Sequence, residues 1–148
     1  MTEHFHLCIT IGATPEAVWH HIENLESHSE WMADAVWVRY RGSQRAGVGT
    51  ELDCLTKVGP FSTKDVMRVT DWEPGSAMEI EHTGAVTGIG RFELRPVLGG
   101  LTEFCWTERL TYPPRFGGRL GERMSKHLLE RVWRGNLERL RSQIETRV

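Results

Sequence analysis

Three ionisable side chains in this sequence fall on strand faces that are otherwise apolar, where a charged group is costly to bury. His82 alternates with Met78, Glu108 alternates with Trp106, and Asp65 has the inward parity of a third strand. An imidazole beside a carboxylate in an apolar setting can hold or release a proton near neutral pH. Such a pair can remove a proton next to a carbonyl and help a water molecule leave. His82 and Glu108 are therefore the candidate catalytic pair, and Asp65 is a third candidate.

The same three residues also have simpler structural interpretations. Asp65 and Glu108 could lie at strand ends and contact water, or pair with His127. His82 stands one residue before the turn at Thr83-Gly84, where its side chain could be exposed. A stripe of aromatic and methionine side chains facing a helix is also typical of an ordinary core. Both interpretations stay open, and the sequence assigns no catalytic residue.

Strand parity predicts the wall of a ligand cavity, because alternate side chains point to the same face of a sheet. Two inward glycines, Gly88 and Gly90, either leave volume unfilled or let the sheet bend, and both effects favour a pocket. Binding cavities commonly combine apolar walls with a few polar groups that orient the ligand. The predicted ligand-binding residues are Trp31, Met67, Met78, His82, Phe92, Phe104, Trp106, Glu108, Met124 and Leu128.

The elements that position these residues begin with a half-buried strand from about Glu3 to Ile11, indicated by alternating apolar side chains. Thr14-Pro15-Glu16 predicts a helix start, with threonine as N-cap and proline at the first helical position. A second short helix is expected over Glu26 to Met32. Six further strands separated by turn residues are predicted. They lie near Val36–Arg41, Gly49–Lys57, Phe61–Trp72, Ala77–Thr83, Thr87–Pro96 and Leu101–Leu110.

A break at Tyr112-Pro113-Pro114 precedes a final amphipathic helix, predicted over Arg119 to Glu145. At 1.5 Å per residue this helix is ~40 Å long and can cross the whole sheet. Consecutive strands joined by short turns form an antiparallel meander. The predicted fold class is α+β: a curled seven-stranded antiparallel sheet around a long C-terminal helix, with two short helices after the first strand.

This order of elements, and several local segments, resemble the START-like (SRPBCC) superfamily and its helix-grip fold. The segments are Ile11-Gly12-Ala13-Thr14-Pro15-Glu16-Ala17-Val18-Trp19, Gly47-Val48-Gly49-Thr50, Trp72-Glu73-Pro74-Gly75 and Trp133 with Asn136-Leu137 and Leu140. The resemblance is closest to the short bacterial polyketide cyclase/dehydrase-like branch and covers residues 1–148 as a single domain. It implies a tunnel for lipids, polyketides or hormone-like molecules, sometimes with catalysis. No catalytic motif of the superfamily can be transferred to particular residues here.

Charge and hydropathy exclude several classes of partner. The 18 basic and 20 acidic residues give a net charge of −2, without the clustered basic face that nucleic-acid binding needs. No apolar stretch is long enough for a membrane span, and the N-terminus lacks the basic and apolar regions of a signal peptide. The sequence therefore predicts a cytoplasmic protein, as a monomer or homodimer, without nucleic acid or stable membrane insertion.

Cysteine and histidine usage predicts no metal or cofactor. Cys8, Cys54 and Cys105 are odd in number and lack a CxxC spacing, which favours reduced and mostly buried thiols over disulfides. His4 and His6 share a strand face with Cys8 at a spacing that could bind zinc. That face is opposite the apolar one and no second group of ligands is evident, so no metal site is predicted.

Three functions are compatible with this sequence. The favoured prediction is a domain that binds an apolar, lipid- or polyketide-like small molecule between the sheet and the C-terminal helix. The first alternative is a polyketide cyclase/dehydratase-type enzyme with His82 and Glu108 as acid and base. The second is a regulatory module that binds a partner through a tryptophan-rich surface. The sequence identifies neither the ligand nor turnover.

Overall fold

A computed structural model describes the backbone of residues 2–111 and 118–147, and the side chains of residues 2–60, 62–111 and 126–147. The elements follow the predicted order. They are β1 (Thr2–Ile11), α1 (Pro15–Ile22), a 3-10 helix (Leu25–Glu30), β2 (Ala35–Arg41), β3 (Glu51–Val58), β4 (Phe61–Glu73), β5 (Ala77–Thr83), β6 (Thr87–Val97), β7 (Leu101–Thr111) and α2 (Gly118–Arg147). The predicted bounds differ from these by a residue or two at most ends.

The seven strands form one antiparallel sheet in the order β1-β7-β6-β5-β4-β3-β2, which confirms the predicted α+β class. Strands β2 to β7 form the meander, and β1 joins it at the edge of β7. Register irregularities occur between Ala35 and Trp37 in β2 and between Val69 and Asp71 in β4. Such bulges increase the local twist and help the sheet curl.

The two short elements after β1 begin with side-chain caps. The Thr14 hydroxyl accepts a hydrogen bond from the Ala17 N–H at 3.3 Å, and Pro15 follows as the first helical residue. This confirms the predicted start of α1. The second predicted helix is a single 3-10 segment, with the Asn24 side chain accepting from the Glu26 N–H at 3.2 Å. Both elements pack side chains into the core.

The C-terminal helix packs its apolar side onto the sheet. Its 30 residues span about 45 Å, and Leu140 and Ile144 are buried. The Trp133 ring contacts the Phe5 ring of β1 edge-on, with centroids 4.6 Å apart. Near the end of the helix, Glu145 Oε2 accepts a hydrogen bond from the Gly12 N–H at 2.7 Å. These contacts fix α2 across the curled face of the sheet.

The cysteines differ from the prediction of three reduced and mostly buried thiols. Cys8 and Cys105 form a disulfide, Cys8 is exposed, and only Cys54 is a free, buried thiol. The reason is the register of β1 against β7, which places Cys8 directly opposite Cys105 with their Cα atoms 4.1 Å apart. Residues this close across an antiparallel pair bring their Sγ atoms together.

The tryptophan-rich surface proposed for a partner-binding module is also not found. Trp19, Trp31, Trp106 and Trp133 are buried, and the remaining two tryptophans, Trp37 and Trp72, are half-buried. The indole rings therefore belong mainly to the core, and the partner-binding alternative loses the feature that suggested it. Among the described residues, no helix has the length and apolar character needed to cross a membrane.

Candidate functional site

A cavity of about 740 Å³ lies between the sheet and α2. Its volume falls within the ~300–1,000 Å³ range of small-molecule sites. Side chains from six strands, the 3-10 helix and α2 surround it, and most of its surface is apolar. The curled sheet and α2 enclose this space without filling it with side chains. The cavity is the candidate ligand site.

Most of the residues predicted to bind a ligand lie at this cavity. Those that line it are Met67, Met78, His82, Phe92, Trp106, Glu108 and Leu128, together with the third candidate catalytic residue, Asp65. Trp31 and Phe104 are instead buried behind the wall, where both rings pack against Phe92. The side chain of Met124 lies outside the described residues.

Glu108 and His82 come together in the cavity wall. The Oε1 atom of Glu108 lies 3.7 Å from Nε2 of His82, an ion-pair distance that is longer than a direct hydrogen bond. Trp106 donates its indole N–H to the same Oε1 at 3.0 Å. A Cβ atom on Gly90 would stand 2.4 Å from Oε1, so the absence of a side chain at Gly90 gives the carboxylate its position. The inward glycine therefore makes room for the acid.

Asp65 is held in a similar way. Its Oδ2 accepts a hydrogen bond from the Thr63 hydroxyl at 3.3 Å. Its Oδ1 lies over Gly84, where a Cβ atom would approach to 2.2 Å. Glycine in the turn between β5 and β6 thus leaves space for this second buried carboxylate, as Gly90 does for Glu108.

Two oxygens of this acidic group lack a hydrogen-bond partner in the part of the chain that the structure describes. Among the described residues, Asp65 Oδ1 and Glu108 Oε2 are buried side-chain oxygens that no donor contacts. Nearly all buried polar atoms in proteins are hydrogen-bonded, because losing water without a replacement costs about 1–3 kcal/mol. Two such atoms on residues that line one cavity indicate a place for donors that a ligand or water supplies.

The charges of this group are coupled. Burial alone lowers the pKa of His82, but the nearby carboxylates of Glu108 and Asp65 outweigh it and raise that pKa above its usual value. Burial raises the pKa of Asp65, while His82 and the Thr63 hydroxyl oppose the rise. The carboxylates therefore favour the protonated form of His82, which is the form that can donate a proton.

Another carboxylate at the cavity, Asp34, was not among the predicted site residues. Its Oδ2 accepts the indole N–H of Trp133 at 3.1 Å, and its Oδ1 accepts the Asn136 amide N–H at 2.8 Å. The side-chain Oδ1 of Asn136 in turn accepts a hydrogen bond from the backbone N–H of Ala33 at 2.9 Å. This network ties the segment before β2 to α2. Asp34 lies outside any periodic element, so alternation could not have revealed it.

A buried histidine, His28, also lines the cavity and was not predicted. Its Nε2–H donates to the Ile22 carbonyl at 2.7 Å, and burial lowers its pKa to about 4, so the ring is neutral at pH 7. The ring packs against Trp31 and Phe92. A histidine flanked by two serines in a short helix is typical of an exposed position, and no sequence signal distinguished this one.

Metal-type ligands gather elsewhere. Within the described part of the chain, the histidine, cysteine and acidic side chains that come close enough to share one ion are His6, Cys8 and Cys105. They lie on the outer face of β1 and β7, whereas the cavity lies on the inner face.

Sequence comparison places the chain in a family. Residues 2–145 match the family described as polyketide cyclase / dehydrase and lipid transport, so the chain belongs to it. The match covers nearly the whole chain and agrees with the predicted superfamily. No curated protein resembles the sequence closely enough to count as a match.

Solved structures share the fold at low sequence identity. The ZhuI aromatase/cyclase from Streptomyces sp. R1128 is 12% identical with a TM-score of 0.83, over 99% of this chain and 96% of that one. A protein from Thermus thermophilus is 18% identical with a TM-score of 0.80, over 97% and 98% of the two chains. A START superfamily protein from Mycobacterium smegmatis is 12% identical with a TM-score of 0.80, over 98% and 99%. These likenesses show the helix-grip fold.

Proposed function

We propose that this protein binds a largely apolar small molecule in the cavity and orients it through Glu108 and Asp65. The observation that carries the proposal is the combination of apolar walls around about 740 Å³ with two buried carboxylate oxygens that lack a partner among the described residues. Membership of a family described by polyketide cyclisation and lipid transport supports a ligand of this kind.

The apolar walls supply most of the binding free energy. Burying apolar surface contributes roughly 25 cal/mol per Å², so a ligand with ten or so buried carbons gains several kcal/mol. The walls include Met67, Met78 and Phe92, which present thioether and ring surfaces without competing polar atoms. Methionine side chains adapt to irregular shapes, which suits a site that accepts elongated or fused-ring molecules.

The polar end of the ligand is a hydrogen-bond donor. Glu108 Oε2 and Asp65 Oδ1 are acceptors. The described cavity lining contains no lysine or arginine, and its cationic imidazole, His82, is already paired with Glu108 Oε1 at 3.7 Å. A ligand carboxylate brought to these oxygens would add a like charge in an apolar setting, whereas a hydroxyl or ammonium group would complete their hydrogen bonds. We therefore propose an apolar alcohol, phenol or amine in preference to a fatty acid.

The test of cavity binding uses decan-1-ol and a pair of tryptophan variants. Ile80 lines the cavity opposite Gly90, so Ile80→Trp fills the space that a ligand needs. Ile89 is an exposed neighbour on the adjacent strand, and Ile89→Trp is the matched control. Calorimetric titration should show binding to the wild type and to Ile89→Trp, and at least tenfold weaker binding to Ile80→Trp. Equal binding by all three proteins contradicts the proposal.

Native mass spectrometry of the purified protein gives an independent check. A retained ligand appears as an added mass that is absent from Ile80→Trp and present in Ile89→Trp. An added mass of the same size in both variants places the molecule outside the cavity.

The second candidate function, proton transfer, rests on the pair of His82 and Glu108. A distance of 3.7 Å between Nε2 and Oε1, beside an apolar cavity, lets the imidazolium protonate a leaving hydroxyl while the carboxylate accepts a proton next to a carbonyl. This is the chemistry of a cyclase/dehydratase-type enzyme acting on a polyketide-like substrate.

A β-hydroxy ketone with an aryl group tests this candidate, because its dehydration to a conjugated enone is followed by absorbance. The wild type should accelerate the reaction over buffer, and His82→Gln and Glu108→Gln should each lose that acceleration. His20→Gln is the control, since the His20 side chain is exposed and lies outside the cavity. If the wild type does not accelerate the reaction, or if Glu108→Gln keeps the wild-type rate, the proton-transfer function is contradicted and ligand binding alone stays proposed.

We also infer a cytoplasmic location, a monomeric or homodimeric state and no nucleic-acid partner. The near balance of 18 basic and 20 acidic residues supports the last point. Light scattering measures the oligomeric state, and a mass above that of a dimer contradicts it.

A further inference from the structure

The outer face of the sheet, where β1 pairs with β7, carries a second group of chemically active side chains. His6 and Cys8 project from β1, and Cys105 and Thr107 project beside them from β7. We propose that, when the Cys8–Cys105 disulfide is reduced, His6, Cys8 and Cys105 form a binding site for Zn²⁺. This site is separate from the cavity and independent of the function proposed for it.

The positions of the three side chains suit a single small ion. The imidazole nitrogen of His6 and the two sulfurs, which are bonded to each other in the oxidised form, all lie within 4.8 Å of one another. His6 Nε2 is 3.4 Å from Cys8 Sγ. Two ligands of a tetrahedral zinc, with bonds of about 2.1 Å to nitrogen and 2.3 Å to sulfur, stand roughly 3.6 Å apart. The backbone therefore already holds two ligands near their coordinating separation.

The third ligand comes from the strand register. Cys105 is the direct cross-strand partner of Cys8, with a Cα–Cα distance of 4.1 Å. After reduction the two sulfurs stay neighbours, because the paired backbones of β1 and β7 keep their Cβ atoms close. Rotation of the two side chains is enough to move the sulfurs from bonding distance to the separation of two ligands on one ion. The same backbone thus supports both a disulfide and a metal-bound dithiolate.

The His6 ring is oriented by a second residue. Its Nδ1 lies 2.9 Å from the Thr107 hydroxyl, which is the direct cross-strand neighbour of His6. When Nδ1–H donates to this hydroxyl, Nε2 carries the free lone pair and faces Cys8. Metal-binding histidines commonly have their other ring nitrogen hydrogen-bonded in this way, which fixes tautomer and ring orientation. Thr107 is therefore the positioning residue of the site.

The ligand set selects a soft or borderline cation. Two thiolates and one imidazole suit Zn²⁺ better than Mg²⁺ or Ca²⁺, which prefer oxygen. His6 and Cys8 are exposed, so an ion can reach them from solvent. Glu103 Oε1 lies 3.7 Å from Cys105 Sγ, close enough for a carboxylate or a water beside it to complete the coordination. Three protein ligands and one open position describe an accessible site.

Reduction and metal binding are linked steps. Two molecules of a thiol reductant transfer two electrons to the disulfide, giving the Cys8 and Cys105 thiols and one oxidised disulfide of the reductant. Binding of Zn²⁺ then releases two thiol protons to solvent, because only thiolates coordinate the ion. In a reducing cytoplasm the dithiol form is the expected resting state. A disulfide oxidant, such as the oxidised form of that thiol reductant, takes the two electrons back by thiol–disulfide exchange. The Cys8–Cys105 bond is then restored and Zn²⁺ is released.

The experiment titrates Co²⁺, a spectroscopic substitute for Zn²⁺, into the full chain after anaerobic reduction with a phosphine. One equivalent should bind with a thiolate-to-cobalt charge-transfer absorption, and Zn²⁺ should displace it. Cys8→Ser should abolish the absorption. His6→Ala and Thr107→Val should each weaken binding by about tenfold or more. Cys54→Ala, which removes the free buried cysteine, should leave binding unchanged.

Three results would overturn the proposal: no binding by the reduced wild type, the same absorption in Cys8→Ser, or equal affinity of the oxidised and reduced proteins. Because Cys8 is exposed, its serine variant is expected to fold, and circular dichroism of that variant verifies this. None of these measurements involves a cavity ligand, so their outcome does not depend on the binding function.

Discussion

Two carboxylates at the same cavity, Asp34 and Glu108, have opposite surroundings. Each accepts an indole N–H from one of two stacked tryptophans: Trp133 donates to Asp34, Trp106 donates to Glu108, and the ring centroids lie 5.0 Å apart. The second oxygen of Asp34 accepts the Asn136 amide N–H, whereas the second oxygen of Glu108 has no partner among the described residues. The two acids therefore differ in the partner of their second oxygen, and Glu108 alone of the two also lies beside an imidazole, that of His82.

Under the proposed function, that difference separates a structural role for Asp34 from a ligand-binding role for Glu108. An acid whose oxygens are both satisfied by the protein, as in the half-buried Asp34, contributes to stability and has no oxygen left without a partner for a ligand. A buried acid with one free oxygen lowers stability until a donor binds to it. Asp34 joins α2 to the segment before β2, and Glu108 presents its free oxygen to the cavity. Substitutions at the two positions should consequently affect different measurements.

The largest expected effect is on stability, from Asp34→Ala. The change leaves the indole N–H of Trp133 and the amide of Asn136 without an acceptor. Hydrogen bonds to charged groups contribute ~1.5–3 kcal/mol each, so we expect a loss of about 2–4 kcal/mol in the free energy of unfolding. Urea unfolding measures it. Asp34→Asn keeps one acceptor and should lose about half as much; a loss below about 1 kcal/mol for Asp34→Ala contradicts the structural role.

Two histidines at the cavity, His28 and His82, also differ in their surroundings, and their pKa values shift in opposite directions. The pKa of His28 is lowered to about 4, so its contribution to stability is complete above its unfolded pKa of 6.5 and is lost as the pH falls toward 4. The pKa of His82 is raised, so its contribution is complete below 6.5 and is lost as the pH rises through the folded value. The signs are opposite because burial dominates at His28 and the carboxylates dominate at His82.

The second prediction follows from His28. The measured quantity is the difference between the free energies of unfolding at pH 7 and at pH 4. This difference should be smaller in His28→Gln than in the wild type, by up to about 3 kcal/mol, because each unit of pKa shift is worth about 1.4 kcal/mol. His20→Gln, at an exposed position, should keep the wild-type difference. An unchanged pH dependence in His28→Gln would show that this ring is not buried in its neutral form.

A smaller effect is expected from Gly90→Ala, which displaces the Glu108 carboxylate without removing it. The new Cβ would come within 2.4 Å of Glu108 Oε1, so the side chain must rotate away from Trp106. Decylamine affinity should fall several-fold, equivalent to roughly 1 kcal/mol. Gly84→Ala is the matched variant, because it displaces Asp65 instead. Wild-type affinity in both variants would show that neither carboxylate position matters for binding.

The sequence predicted those parts of the molecule that repeat. Alternation in β4, β5 and β7 indicated that Asp65, His82 and Glu108 point inward, and the structure places all three at the cavity. The meander and the long helix followed from short turns and helical spacing, both of which are local signals. Periodicity is sufficient here because each strand has one face toward α2 and one toward solvent.

The remaining features depend on contacts between distant parts of the chain. Cys8 and Cys105 are 97 residues apart, and their pairing follows from the register of β1 against β7, which composition does not encode. Asp34 and His28 lie in segments without a repeating pattern. The role of Gly84 becomes evident only when Asp65 is seen above it. Long-range register and irregular segments therefore limited the prediction.

The most direct test of the account compares Glu108→Gln with the wild type in binding decylamine and decanoate, which share a chain length and differ in charge. We expect the wild type to bind decylamine more tightly than decanoate. In Glu108→Gln the ratio of these two affinities should fall at least about tenfold, while the free energy of unfolding changes by less than about 1 kcal/mol. A wild type that prefers decanoate, or an unchanged preference in Glu108→Gln, would contradict the claim that the unpartnered carboxylate selects the ligand.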